Sequence, residues 1–120
     1  MNVFEEALTR VADRVSGTRV VSLVGVDGIP VATRGSTESL SIETVAAQIG
    51  GLVRAARTAA SASGSGEVRE IATVSDTGIT VLTQVTGEYY LLLLLAREGN
   101  LGRGRFELRK AAAALEKELL

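Results

Sequence analysis

The sequence contains neither histidine nor cysteine. Without cysteine there is no disulfide, no thiolate zinc site and no thiol nucleophile, and a reducing compartment fits. Without histidine the chain lacks the usual general base, the commonest zinc ligand and the side chain that changes charge near neutral pH. Aromatic residues make up only 3% of the 120, too few for a base-stacking platform. The 13 basic and 14 acidic residues leave a net charge of −1, whereas a nucleic-acid footprint needs a concentrated basic excess. The longest apolar run, around Tyr89 to Ala96, falls far short of the ~20 residues of a membrane helix. The opening MNVFEEALTR carries acids early and no long apolar stretch, unlike a secretory signal. The expectation is a cytoplasmic protein without cofactor or metal, with no nucleic-acid partner and no membrane insertion.

What is present is a substantial apolar fraction, 46%, enough for one core in a single domain over residues 1–120. Its clearest signal is the last third. Leu91 to Leu95 is an unbroken apolar run, where a strand with one wet face would alternate, so this strand is expected to be covered on both faces. A helix follows, with Leu101, Leu108, Ala112, Leu115 and Leu119 on one stripe.

The rest of the chain supplies the cover. Asn2 is placed to cap a first helix, with Glu5 three residues on, and Phe4, Leu8, Val11 and Val15 share a face before Ser16-Gly17 ends it. Arg19 to Val26 reads as a strand and Asp27-Gly28 as a hairpin turn. Ile29 to Thr33 is the return strand, and Pro30, which cannot donate to a ladder, sends it to a sheet edge. Ser36 to Leu40 is a polar loop, and Ser41 caps a second helix that runs to about Ala62. Glu67 to Ser75 and Ile79 to Val85 form a hairpin across Asp76-Thr77-Gly78. The fold class is therefore α+β: a five-stranded antiparallel sheet sandwiched between the central helix and the two terminal ones.

The second helix has two faces. Ile42, Val45, Ile49, Val53, Ala56 and Ala60 form the stripe expected on the sheet. Ala47, Gly50, Gly51, Arg54, Ala55 and Thr58 fall on another side made mostly of small residues. A glycine inside a helix costs about 1 kcal/mol relative to alanine, so two in succession imply that another backbone comes close. That backbone belongs either to a partner or to the protein's own sheet. The first reading makes this side a docking surface, on which Gly50→Arg abolishes partner binding and leaves the fold intact. Glu67 to Ser75, with Val68, Ile71, Ala72 and Val74, is a candidate sheet edge that the same strand of a twofold partner could pair.

Catalytic patterns are missing. The acids show no metal-ligand spacing, and there is no phosphate-binding loop ending in Lys-Ser or Lys-Thr. Gly99, Gly102 and Gly104, beside Arg103 and Arg105, leave an anion site conceivable at a helix N-terminus, but the start of a helix explains them equally. Arg103, Arg105, Arg109 and Lys110 read as a solvated helix face balanced by Glu107 and Glu116. Asp76-Thr77-Gly78 reads as a turn, and Tyr89-Tyr90 as the start of the buried strand with one hydroxyl reaching water.

The order of elements, with VVSLVGVDGIPVATRG, EYYLLLLLAREGNLGRGRFELRKAAAAL and Asn100-Leu101-Gly102 opening the last helix, resembles the roadblock/dynein light chain family over essentially the whole chain. The resemblance implies a dimer, homodimeric or with a paralogue, in which two sheets join through their third strands and the second helices pair. The dimer residues would then be Val68, Ile71, Ala72, Val74 and Ala55. The MglB-like regulators of this family, which partner the Ras-like GTPase MglA, are similar in size and single-domain form. They imply a non-enzymatic module that binds such a GTPase through Ala47, Gly50, Gly51, Arg54 and Thr58. The expected role is an activating one, with Arg54 as a rim residue rather than a finger in trans. Two alternatives stand beside it: a scaffold or adaptor light chain indifferent to nucleotide, and a small-molecule sensor or enzyme with a pocket between helix and sheet.

Overall fold

The leucine run occupies the middle of the sheet. In the computed structural model, which describes residues 1–35 and 39–120, β5 (Tyr89–Ala96) lies between β1 (Thr18–Gly25) and β4 (Gly78–Thr86). The outer strands are β2 (Pro30–Gly35) and β3 (Glu70–Val74), giving the order β2-β1-β5-β4-β3, antiparallel throughout. Leu91, Leu93 and Leu95 point to one face and pack with α1 (Val3–Arg14) and α3 (Leu101–Leu119). Tyr90 and Leu92 point to the other, beneath α2 (Ile42–Ala62), with Leu94 half-buried beside them. The absence of alternation along β5 thus reflects two cores back to back.

The helix caps formed where local chemistry placed them. Asn2 Oδ1 accepts the Glu5 amide at 2.9 Å, Ser41 Oγ the Thr44 amide at 3.3 Å and Asn100 Oδ1 the Arg103 amide at 3.0 Å, each satisfying a first-turn N–H that the helix leaves free. The stripe on α3 is realised, with Leu108, Ala112 and Leu115 buried and Leu101 and Leu119 packed at its ends. Gly104 lies on the same helix because a Cβ there would stand 2.9 Å from Leu93 Cδ2. Of the polar loop expected over Ser36 to Leu40, residues 36–38 lie outside the described residues.

One detail differs from expectation. The third strand begins at Glu70 rather than Glu67: Gly66 has φ +83°, and the Val68 carbonyl turns inward to accept a 2.7 Å hydrogen bond from the Tyr90 hydroxyl. Tyr90 is fully buried, with its hydroxyl bonded within the protein, while Tyr89 is half-buried. Tyr90→Phe removes that donor from the Val68 carbonyl. It should destabilise the fold by about 1–2 kcal/mol, read as a lower urea midpoint at unchanged m-value.

Candidate docking site

The 21 residues of α2 include three charged ones, Glu43, Arg54 and Arg57. Both arginines are tied to the chain's own backbone. Arg57 Nη2 donates to the Gly87 carbonyl at 2.8 Å, with its guanidinium 5.7 Å from the centre of the Tyr90 ring. Arg54 Nη1 donates to the Val26 carbonyl at 3.4 Å. Ala46, Ile49 and Val53 are buried on the sheet side. Ala47, Gln48, Leu52, Ala55, Thr58 and Ala59 are exposed and Gly51 is half-exposed. The outward side is thus a ledge of mostly small side chains, with Gln48 and Leu52 the larger ones and exposed Arg54 its charge, about 18 Å long at 1.5 Å per residue.

The two glycines do different things. A Cβ on Gly50 would stand 2.9 Å from the Val26 carbonyl oxygen and 3.5 Å from the Gly28 amide nitrogen. Gly28, at φ +88°, in turn brings the hairpin backbone against α2, since its own Cβ would stand 3.1 Å from Ala47 Cα. The close backbone that Gly50 admits is therefore the β1–β2 hairpin of the same chain. Gly50 is buried and cannot present itself to a partner, which corrects the expectation that both glycines face outward and that Gly50→Arg spares the fold. Gly51 has only the tip of Arg54, at 3.8 Å, near its absent Cβ. Ala47, Gly51, Ala55 and Thr58 share the open ledge, with Arg54 at its hairpin side.

The sheet has two outer strands of different character. β2 begins at Pro30, which has no N–H, and is bulged: Leu23 pairs with Ala32 and Val24 with Pro30, leaving Val31 as the extra residue. Proline and a bulge both blunt an edge. β3 has neither, and pairs with β4 in unbroken register from Glu70 to Val74. Ile71 packs at the margin of the core under α2. Ala72 and Val74 face the α1/α3 side beyond its cover, Val74 being 55% exposed. Val68 stands before the strand, and Ala55 lies apart from it on α2.

The charges of α3 are organised rather than merely solvated. Glu70 of β3 is held by Arg105 Nε at 3.0 Å and Arg109 Nη2 at 3.4 Å. Glu107, 2% exposed, sits between Arg14 of α1 at 3.5 Å and Arg103 at 3.3 Å. These pairs link α3 to the outer strand and to α1, contacts that a helical pattern alone cannot specify. The glycine-rich start of α3 is occupied by its own cap, Asn100, and by the packing of Gly104. Asp76 and Thr77 form the β3–β4 turn, closed by the Ser75 amide donating to the Gly78 carbonyl at 2.9 Å. Among the described residues no three acids converge as a metal site, and no helix is long and apolar enough to cross a membrane.

The architecture is that of a protein-interaction domain with helices on both faces of one sheet. The Roadblock/LC7 domain family model matches residues 4–96, and the chain belongs to that family. No curated protein matches its sequence. Among solved structures, MglC from Myxococcus xanthus is 32% identical over 98% of this chain and 99% of that one, with a TM-score of 0.70. Myxococcus xanthus MglB is 21% identical over 98% and 87%, with a TM-score of 0.89. A Roadblock/LC7 domain from Streptomyces avermitilis is 21% identical over 95% of both chains, with a TM-score of 0.87.

Proposed function

We propose that this chain is a dimeric, non-enzymatic regulatory module that binds a Ras-like small GTPase of the MglA type and modulates its nucleotide state, as an activating partner. The observation that carries this reading is the outward ledge of α2. An exposed helix side with mostly small and uncharged side chains, bordered by Arg54, is suited to a flat protein partner. The similarity to MglB supports a partner of this class. Dimerisation through β3 is favoured because it is the unblunted edge.

The activating route consistent with the ledge is positional. A surface that binds the switch segments in their hydrolysis-competent arrangement shifts the GTPase toward that state and aligns groups it already owns. Arg54, held at the Val26 carbonyl, borders the docked partner and is not the source of a catalytic finger.

The test is affinity capture with the full chain, run with a non-hydrolysable GTP analogue and with GDP. Retention of a Ras-like GTPase mainly in the GTP form is expected. Retention of a large assembly regardless of nucleotide would replace this reading with that of an adaptor.

A further inference from the structure

We infer that the tip of the β1–β2 hairpin, through Ile29 and Val31, is part of the same docking surface, so that the GTPase is gripped by helix and hairpin together. This inference rests on the proposed function above. Ile29 is 61% and Val31 49% exposed, two β-branched apolar side chains within three residues. A single exposed apolar residue needs no explanation, but here the backbone has been arranged to produce two. Val31 is the bulged residue of β2, and a bulge re-aims a side chain. Ile29 is fixed by its amide donating to Asp27 Oδ1 at 3.1 Å and by its carbonyl accepting the Gly25 amide at 2.9 Å.

The tip is also locked to the ledge. Gly28, the residue before Ile29, rests on Ala47; Gly50 admits Val26; and Arg54 bonds the Val26 carbonyl. Hairpin and helix are therefore in direct backbone contact, and the tip, which also carries exposed Asp27, adjoins the Ala47 end of the α2 ledge. Strand addition does not account for these side chains, because Pro30 and the bulge interrupt the ladder at that point. What fits is a partner already seated on Ala47 and Gly51 whose surface offers an apolar recess to Ile29 and Val31.

The probe is a purified MglA-type Ras-like GTPase from the same source as the chain, loaded with a fluorescent non-hydrolysable GTP analogue and titrated with the full chain. The double variant Ile29→Asp/Val31→Asp should bind at least about tenfold more weakly, as expected when two apolar contacts are lost, with an unchanged melting temperature. Val3→Asp, at an exposed apolar position on α1, should bind like the parent. If Gly51→Arg abolishes binding while the hairpin double variant stays within about twofold, the hairpin inference fails and the GTPase reading stands. If the parent chain does not bind the loaded GTPase, both fall together.

Discussion

Gly50→Arg and Gly51→Arg, one residue apart, should move stability in opposite directions. At Gly50 the first added atom already meets the Val26 carbonyl oxygen at 2.9 Å, and the obstruction is backbone, which cannot swing aside as a side-chain tip can. Relief requires the hairpin to lift off α2, uncovering part of the core around Val24 and Tyr90. Overpacking of this kind costs about 3 kcal/mol, or a melting temperature lower by about 10 °C or more in a domain of this size. At Gly51 the added side chain enters open space beside Arg54, and exchanging glycine for arginine in a helix favours the fold by about 0.5–1 kcal/mol. Gly51→Arg should therefore melt slightly higher than the parent and bind the GTPase much more weakly. Thermal unfolding of the two variants, followed by circular dichroism, decides it. Equal losses in both would mean that the hairpin does not rest on Gly50.

The second large effect concerns association. Val74→Asp places a carboxylate on the open edge, where strand pairing would bury it in the joint. Dimer dissociation should rise by about a hundredfold or more, equivalent to about 3 kcal/mol. The monomer should keep its circular dichroism spectrum, since Val74 is exposed in the isolated chain. Val31→Asp, on the blunted edge, should leave the dimer unchanged. Sedimentation velocity at micromolar protein reads both. A Val31→Asp monomer beside a Val74→Asp dimer would place the joint at β2 instead.

How much of this could be read beforehand follows the range of the interactions involved. Asn2, Ser41 and Asn100 act on amides three residues away, so the helix starts were legible. The Leu91–Leu95 run announced burial on both faces because periodicity records burial directly. Pro30 marked its strand as an edge for want of a donor. The two glycines were recognised as a place of close backbone approach, but which backbone depends on where the hairpin folds. Residues 100° apart on a helix meet different neighbours, and Val26 lies 24 positions before Gly50. Tyr90 finds Val68 across 22 residues, which no local pattern foretells. Glu107 read as part of a solvated helix face because Arg14, one of its two partners, arrives from another element. Phe106, 54% exposed, falls off the apolar stripe of α3, and that displacement was the available sign that it stays outside the core.

The unequal edges of the sheet have one more consequence. When two copies pair through β3, each spends its one receptive border, and what remains at either extremity is a β2 strand carrying Pro30 and a bulge. In a dimer joined as proposed, further strands would find no continuous row of donors and acceptors to join at those ends. A single proline and one surplus residue would then keep the paired sheet from extending as a fibre.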